Sequence, residues 1–163
     1  MIVVVCGVSG TGKSTVGKAV SETLNLPFFD ADDFHSKANI QKMKNGIALN
    51  DTDRKPWLEQ LSQQLCLWEK EGKGAVLACS ALKESYRITL ASNCMVSIKW
   101  VMLHGSRELL LSRLNSRQDH FFDASLLESQ LNTLELPQYG LTLDVKASVN
   151  DIVEKISRYI SAT

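Results

Sequence analysis

Residues 7 to 15, Gly7-Val8-Ser9-Gly10-Thr11-Gly12-Lys13-Ser14-Thr15, fill the pattern G-x-x-x-x-G-K-[ST] at every required position. Glycines let the backbone wrap closely enough for successive N–H groups to face phosphate oxygens, and the helix that follows would present its positive end to the same anion. Lys13 adds a mobile cation for the β- and γ-phosphates, and the hydroxyl of Ser14 suits one coordination position on Mg²⁺. A glycine-rich turn that bound nothing would need neither the lysine nor the hydroxyl in register, so the stretch predicts binding of MgATP or a similar triphosphate.

A second cluster of chemistry-bearing residues is Asp30-Ala31-Asp32-Asp33. In extended backbone, residues two apart point the same way, so Asp30 and Asp32 are expected to face the phosphate side together. One would complete the Mg²⁺ shell and the other would orient or deprotonate a hydroxyl. The bland alternative is a helix-capping turn, with Asp33 as the cap. The later apolar strands end in Ser80 and His104, so neither supplies the acid that large motor ATPases carry at such a position. That favours a compact transferase in which the second strand provides it. Downstream, Arg117 and His120 stand beside Phe121 and Phe122 in a mixed segment suited to a lid over the phosphates, at about 116–124.

The elements that must position these residues alternate strand and helix. Ile2 to Cys6 is a short β-branched run of the kind a buried parallel strand needs, and 16–24 reads as a helix. Further strands are expected at 26–30, 75–79, 98–103 and 141–145. Residues 34–46 read as a polar helix with a glycine stop, 49–54 as a charged loop, and Pro56 as the start of a helix with Leu58, Leu61, Leu65 and Trp68 on one face. The polar helix and charged loop, about 34–56, look like a substrate-binding insertion. Lys83, Tyr86 and Arg87 fall at i, i+3, i+4 and are expected on one helical face. A closing helix over 149–160 carries Ile152, Val153, Ile156 and Ile160.

Composition bounds the rest. A chain of 163 residues is expected to form one domain over 1–163. Its 18 Lys and Arg balance 18 Asp and Glu, so no global positive field recruits nucleic acid or an anionic membrane. Four widely spaced cysteines form no C-x-x-C pair and read as reduced thiols. With no apolar run near the ~20 residues of a membrane span, the expected compartment is the cytoplasm.

With these residues in hand, the chain resembles the gluconate kinases of the small phosphate-loop type, within the shikimate kinase and nucleoside monophosphate kinase group. The resemblance covers nearly the whole sequence. It rests on Gly7 to Thr15, on Asp30 to His35 with Asn39, Lys42 and Met43, and on Leu49 to Arg54 with Trp57-Leu58. It continues through Cys79 to Lys83 with Tyr86-Arg87, through Arg117 to Phe122, and through Ser129-Gln130 and Leu134-Glu135-x-Pro137. Ala31 and Ser36 depart from the glycine and proline common in that family.

The resemblance implies a three-layer α/β/α P-loop kinase fold, with a five-stranded parallel sheet ordered 2-3-1-4-5, a lid and a substrate-binding helical segment. It implies transfer of phosphate from ATP, with Mg²⁺, to the 6-hydroxyl of D-gluconate, and some members of the family are dimers. Gluconate carries one carboxylate and a row of hydroxyls, which makes Arg54, Lys83 and Arg87 the carboxylate candidates. Asp32 would orient the 6-hydroxyl with His35 and His120 as further substrate contacts. Lys13 and Arg117 would neutralise the transferring group, Asp30 would join Ser14 at the metal, and Arg113 would flank the adenine. A kinase for another small acid such as shikimate is the competing enzyme reading, and an ATP-binding switch without phosphoryl transfer is the competing reading of another class.

Overall fold

The computed structural model describes residues 1–116 and 126–163. The Arg117 and His120 assignments, and the lid segment beyond Ser116, fall outside the described residues. Five parallel strands, β1 (Ile2–Cys6), β2 (Phe28–Asp30), β3 (Ala75–Ala78), β4 (Lys99–His104) and β5 (Leu141–Asp144), form one sheet in the order β2-β3-β1-β4-β5. This is the expected order. Strand β1 lies at the centre, with Val3 opposite Val76 on one side and Val4 opposite Trp100 on the other. Ile2, Val3, Val4 and Val5 are completely buried, which is why the run reads as uninterrupted β-branched residues instead of an alternation.

The helices are α1 (Lys13–Leu24), α2 (Lys37–Lys44), α3 (Asp51–Lys70), α4 (Glu84–Ala91), α5 (Arg107–Asn115), α6 (Leu126–Thr133) and α7 (Val149–Ala162). Helices α1 and α7 pack together, as do α3 and α4. Right-handed crossovers put these pairs on opposite faces of the sheet, because the chain leaves β1 toward β2 in one direction and returns through β3 to β4 in the other. Leu58, Leu61, Leu65 and Trp68 of α3 are buried as their spacing requires. Ser148 caps α7, and Ile152, Ile156 and Ile160 are its buried stripe. Among the described residues no helix is long and apolar enough to cross a membrane. All four cysteines are free thiols.

Three local expectations are corrected. The strand at 26–30 shortens to Phe28–Asp30, and the chain turns at once into a 3₁₀ segment, Ala31–Phe34, capped by the Asp30 carboxylate on the Asp32 N–H at 3.0 Å. Asp30 and Asp32 are therefore not neighbours on one extended strand, and Asp30, not Asp33, is the cap. The polar helix starts at Lys37 because Ser36, the residue that departs from the family pattern, caps it through the Asn39 N–H. The charged stretch at 49–54 is not a loop. Asn50 and Asp53 form a reciprocal capping box that starts α3 five residues before Pro56. Pro56 lies inside the helix, and Arg54 rides on a rigid first turn.

Candidate active site

Because every strand is parallel, the C-terminal ends of β1, β2 and β3 open on one edge of the sheet, the place where such sheets meet ligands. The loop after β1 needs glycine twice for different reasons. A Cβ on Gly7 would sit 2.6 Å from the Leu103 carbonyl oxygen, whereas a Cβ on Gly12 would meet nothing within 4 Å. Gly12 is required by its backbone, held at φ +85° where it caps α1. The space in front of it is open for an anion at the helix N-terminus. The Val8 carbonyl accepts from the Thr11 hydroxyl at 2.8 Å and from the Lys13 ammonium at 3.2 Å, which folds the loop into its cradle.

On one side of this loop is a cleft lined by Gly10, Thr11, Thr15, Arg113, Val145 and Ala147. Arg113 spans it, donating to the Gly10 carbonyl at 3.3 Å and to the Val145 carbonyl at 2.9 Å. The guanidinium thus ties the phosphate loop to the end of β5 beside this cleft.

On the other side is a cavity whose lining includes Lys13, Asp32, His35, Arg54, Trp57 and Gln130. The Ser14 hydroxyl, at the start of α1, donates to the Asp30 carboxylate at 2.8 Å. Two hard oxygen donors side by side at the mouth of a phosphate loop fit Mg²⁺. The Asp32 carboxyl is pushed up to about 7, by burial first and the neighbouring Asp30 charge second, with Lys13 opposing. His35 is held down to about 4 by burial and by the Arg54 charge. Its ring stacks on Trp57 with centroids 4.0 Å apart, and its Nε2 lies 3.9 Å from the Asp32 carboxylate. Trp57 is fixed in turn by its indole N–H, which donates to the Ala31 carbonyl at 2.8 Å.

The three carboxylate candidates separate. Arg54 lines the cavity, donates to the Tyr86 hydroxyl at 3.0 Å and lies over that ring. The Tyr86 hydroxyl donates onward to Asp51. Burial and that bond push Tyr86 up to about 12. Lys83 is the N-cap of α4, not part of it. Its ammonium lies 3.5 Å from Asp51 and over the Tyr86 ring, behind Arg54 and outside the cavity lining. Arg87 does not share an exposed face with Lys83. It is 2% exposed and turned inward, donating to the Ala81 carbonyl at 2.7 Å, the Glu135 carbonyl at 2.7 Å, the Tyr139 hydroxyl at 3.0 Å and Glu84 at 3.1 Å. Those bonds staple the segment after β3 to the segment after α6, so Arg87 shapes the cavity wall from behind.

Gln130 is a residue that spacing alone could not assign. Its side-chain carbonyl accepts the Ser9 N–H at 2.7 Å and its amide donates to the Ser9 hydroxyl at 3.0 Å, clamping α6 to the phosphate loop. Trp57 enters the sequence reading only through the family resemblance, and its role as the platform for His35 comes from the packing.

A phosphate loop with its lysine and hydroxyl in register, an acid from the second strand and a separate polar cavity define a phosphate-loop kinase of the compact α/β class. The Shikimate kinase family model matches residues 9–160. A probable gluconokinase of Dictyostelium discoideum is 42% identical over 98% of this chain and 86% of its own length. A gluconokinase of Arabidopsis thaliana is 36% identical over 98% of this chain and 94% of its own length. The crystal structure of a gluconokinase from Sinorhizobium meliloti superposes with a TM-score of 0.88 at 39% identity, covering 99% of this chain and 91% of that one. The chain belongs to the gluconokinase family, inside the wider shikimate kinase group.

Proposed function

We propose that this chain is a gluconokinase, transferring the γ-phosphoryl group of ATP to the 6-hydroxyl of D-gluconate. The observation that carries this reading is the cavity beside the phosphate loop, whose lining brings together Lys13, Asp32 and Arg54. A linear acid, with a hydroxyl to be phosphorylated and a carboxylate to be held, matches that combination of a carboxyl group and two cations. Family membership at 36–42% identity over nearly the full chain supports the same acceptor.

In this reading the backbone N–H groups of residues 10–15 and the Lys13 ammonium hold the β- and γ-phosphates. Ser14 and Asp30 would hold Mg²⁺, which when bound would offset the phosphate charge. Asp32 accepts a hydrogen bond from the 6-hydroxyl and aims it at the γ-phosphorus. Phosphoryl transfer passes through a loose transition state, so this alignment and Lys13's charge matter more than early removal of the hydroxyl proton. Arg54, braced by Tyr86 and Asp51, takes the gluconate carboxylate, and His35 contacts a hydroxyl along the chain. Arg113 borders the adenine. Arg117 and His120 keep the roles that the family resemblance implies, on the transferring phosphate and the substrate.

The test is ADP release by the purified protein with MgATP and D-gluconate, shikimate or no acceptor. Release that depends on gluconate is expected. Release with shikimate but not gluconate would move Arg54 to another ligand, and tight ATP binding without acceptor-dependent release would overturn the kinase reading altogether.

A further inference from the structure

The side of His35 that faces away from Asp32 carries information about the proton on its ring. Asn39, 7% exposed, places its amide nitrogen 2.9 Å from the Asp53 backbone carbonyl and 3.4 Å from His35 Nδ1. The carbonyl accepts only, so the group facing it must be the NH₂ and not the amide oxygen. The second hydrogen of the same NH₂ then points at Nδ1, which must present its lone pair. A neutral imidazole with an acceptor at Nδ1 carries its hydrogen on Nε2, the nitrogen 3.9 Å from the Asp32 carboxylate. The opposite amide orientation would set two oxygens 2.9 Å apart.

The partner that fixes Asn39 is itself fixed. Asp53 completes the capping box with Asn50, and its carboxylate is held by the Lys42 ammonium at 2.9 Å and 3.0 Å. Ser36 anchors the first turn of α2 through the Asn39 N–H at 3.1 Å. The stack on Trp57 removes the ring's freedom to rotate out of this arrangement.

We propose that Asn39 is a positioning residue that locks His35 as the Nε2–H tautomer, so that the ring offers a hydrogen-bond donor, not a lone pair, to the space it shares with Asp32. The functional half of this rests on the reading of that cavity as the gluconate site. With the opposite tautomer, an Nε2 lone pair would face the Asp32 carboxylate, and a substrate hydroxyl there would have to donate to the ring instead of accepting from it. Lys42 and Asp53 thereby gain a purpose beyond capping α3, since they hold the carbonyl that orients Asn39.

The experiment is long-range ¹H–¹⁵N correlation of the full-length ¹⁵N-labelled protein at pH 7.5, with the His35 signals assigned by their loss in His35→Phe. The wild-type protein is expected to show a protonated Nε2 and a bare Nδ1, and Asn39→Ala is expected to shift that pattern toward a mixture of tautomers. In parallel, Asn39→Ala is expected to lower kcat/KM for gluconate by about tenfold with the KM for ATP unchanged, and the Asn39→Ala/His35→Ala double variant to cost no more than His35→Ala alone. A wild-type Nδ1–H signal overturns the proposal without any variant having to fold, and so does a His35 pattern that Asn39→Ala leaves untouched. Wild-type gluconate turnover by His35→Ala would instead overturn the placement of substrate beside His35, while the tautomer signals still report on Asn39.

Discussion

Acidification should destabilise this protein through His35, by an amount its surroundings allow to be worked out. The side chain is 3% exposed, and burial and the Arg54 charge lower its proton affinity from the ordinary 6.5 to about 4. Between those values the unfolded chain binds a proton that the folded chain refuses, so stability is fully present above pH 6.5 and is lost as pH falls toward 4. The fully expressed difference is about 3 kcal/mol, and the step from pH 7 to pH 5 expresses about 2 kcal/mol of it. Asp32, raised to about 7, works in the opposite direction over the same window, so the wild-type profile alone is ambiguous. The comparison that isolates His35 is His35→Phe, which keeps an aromatic ring on Trp57 and cannot titrate. Urea unfolding at pH 7 and pH 5, followed by tryptophan fluorescence, should show wild type losing about 2 kcal/mol more than the variant. Parallel losses, within about 0.5 kcal/mol, would refute the buried neutral histidine.

The remaining perturbations separate binding, chemistry and scaffold. Lys13→Ala removes the charge opposed to the transferring phosphate and should lower kcat by about 10²-fold or more, with near-wild-type turnover ruling out that role. Arg54→Ala should raise KM for gluconate by about tenfold or more and change kcat less, which steady-state kinetics over a gluconate series would check. Arg87→Met leaves the buried Ala81 carbonyl and the partly buried Glu135 carbonyl without their donor, and should cost about 3 kcal/mol in denaturant unfolding. If Arg87→Met melts like wild type but loses affinity for gluconate, Arg87 is a substrate contact after all.

What could be read from sequence follows the distance over which each feature is determined. The sheet is legible because its strands lie in short, mostly apolar runs, β-branched almost throughout in β1, and the phosphate loop is legible because its nine residues are consecutive. Pro56 misled the start of α3, since proline favours a first turn, while the true start lies in the reciprocal pair Asn50 and Asp53. That signal is present in the sequence as N-x-x-D and outweighs the proline. For Arg87, helical spacing gives a face but not the direction in which that face looks; its orientation is set by carbonyls 6 and 48 positions away. Gln130 meets Ser9 across 121 positions, a separation at which no local pattern survives. Asn39, by contrast, lies four residues from His35 on paper, yet its role depends on Asp53, which only the packing of α2 against α3 supplies.

The two acids at the end of β2 show how one backbone event divides labour between identical side chains. Had the strand continued, Asp30 and Asp32 would project to the same side and share one environment. The 3₁₀ segment begins between them, and Asp30 itself causes it by accepting the Asp32 N–H. Its other carboxylate oxygen accepts the Ser14 hydroxyl, so Asp30 is anchored to the phosphate loop at both oxygens. Asp32, carried around the turn, leaves that anchorage and joins the cavity wall with Lys13 and His35. There burial favours its neutral form where Asp30's charge adds to the effect. The turn therefore places a fixed oxygen donor beside Ser14 and a second acid in the cavity wall, which a continuous strand could not have done with the same two residues.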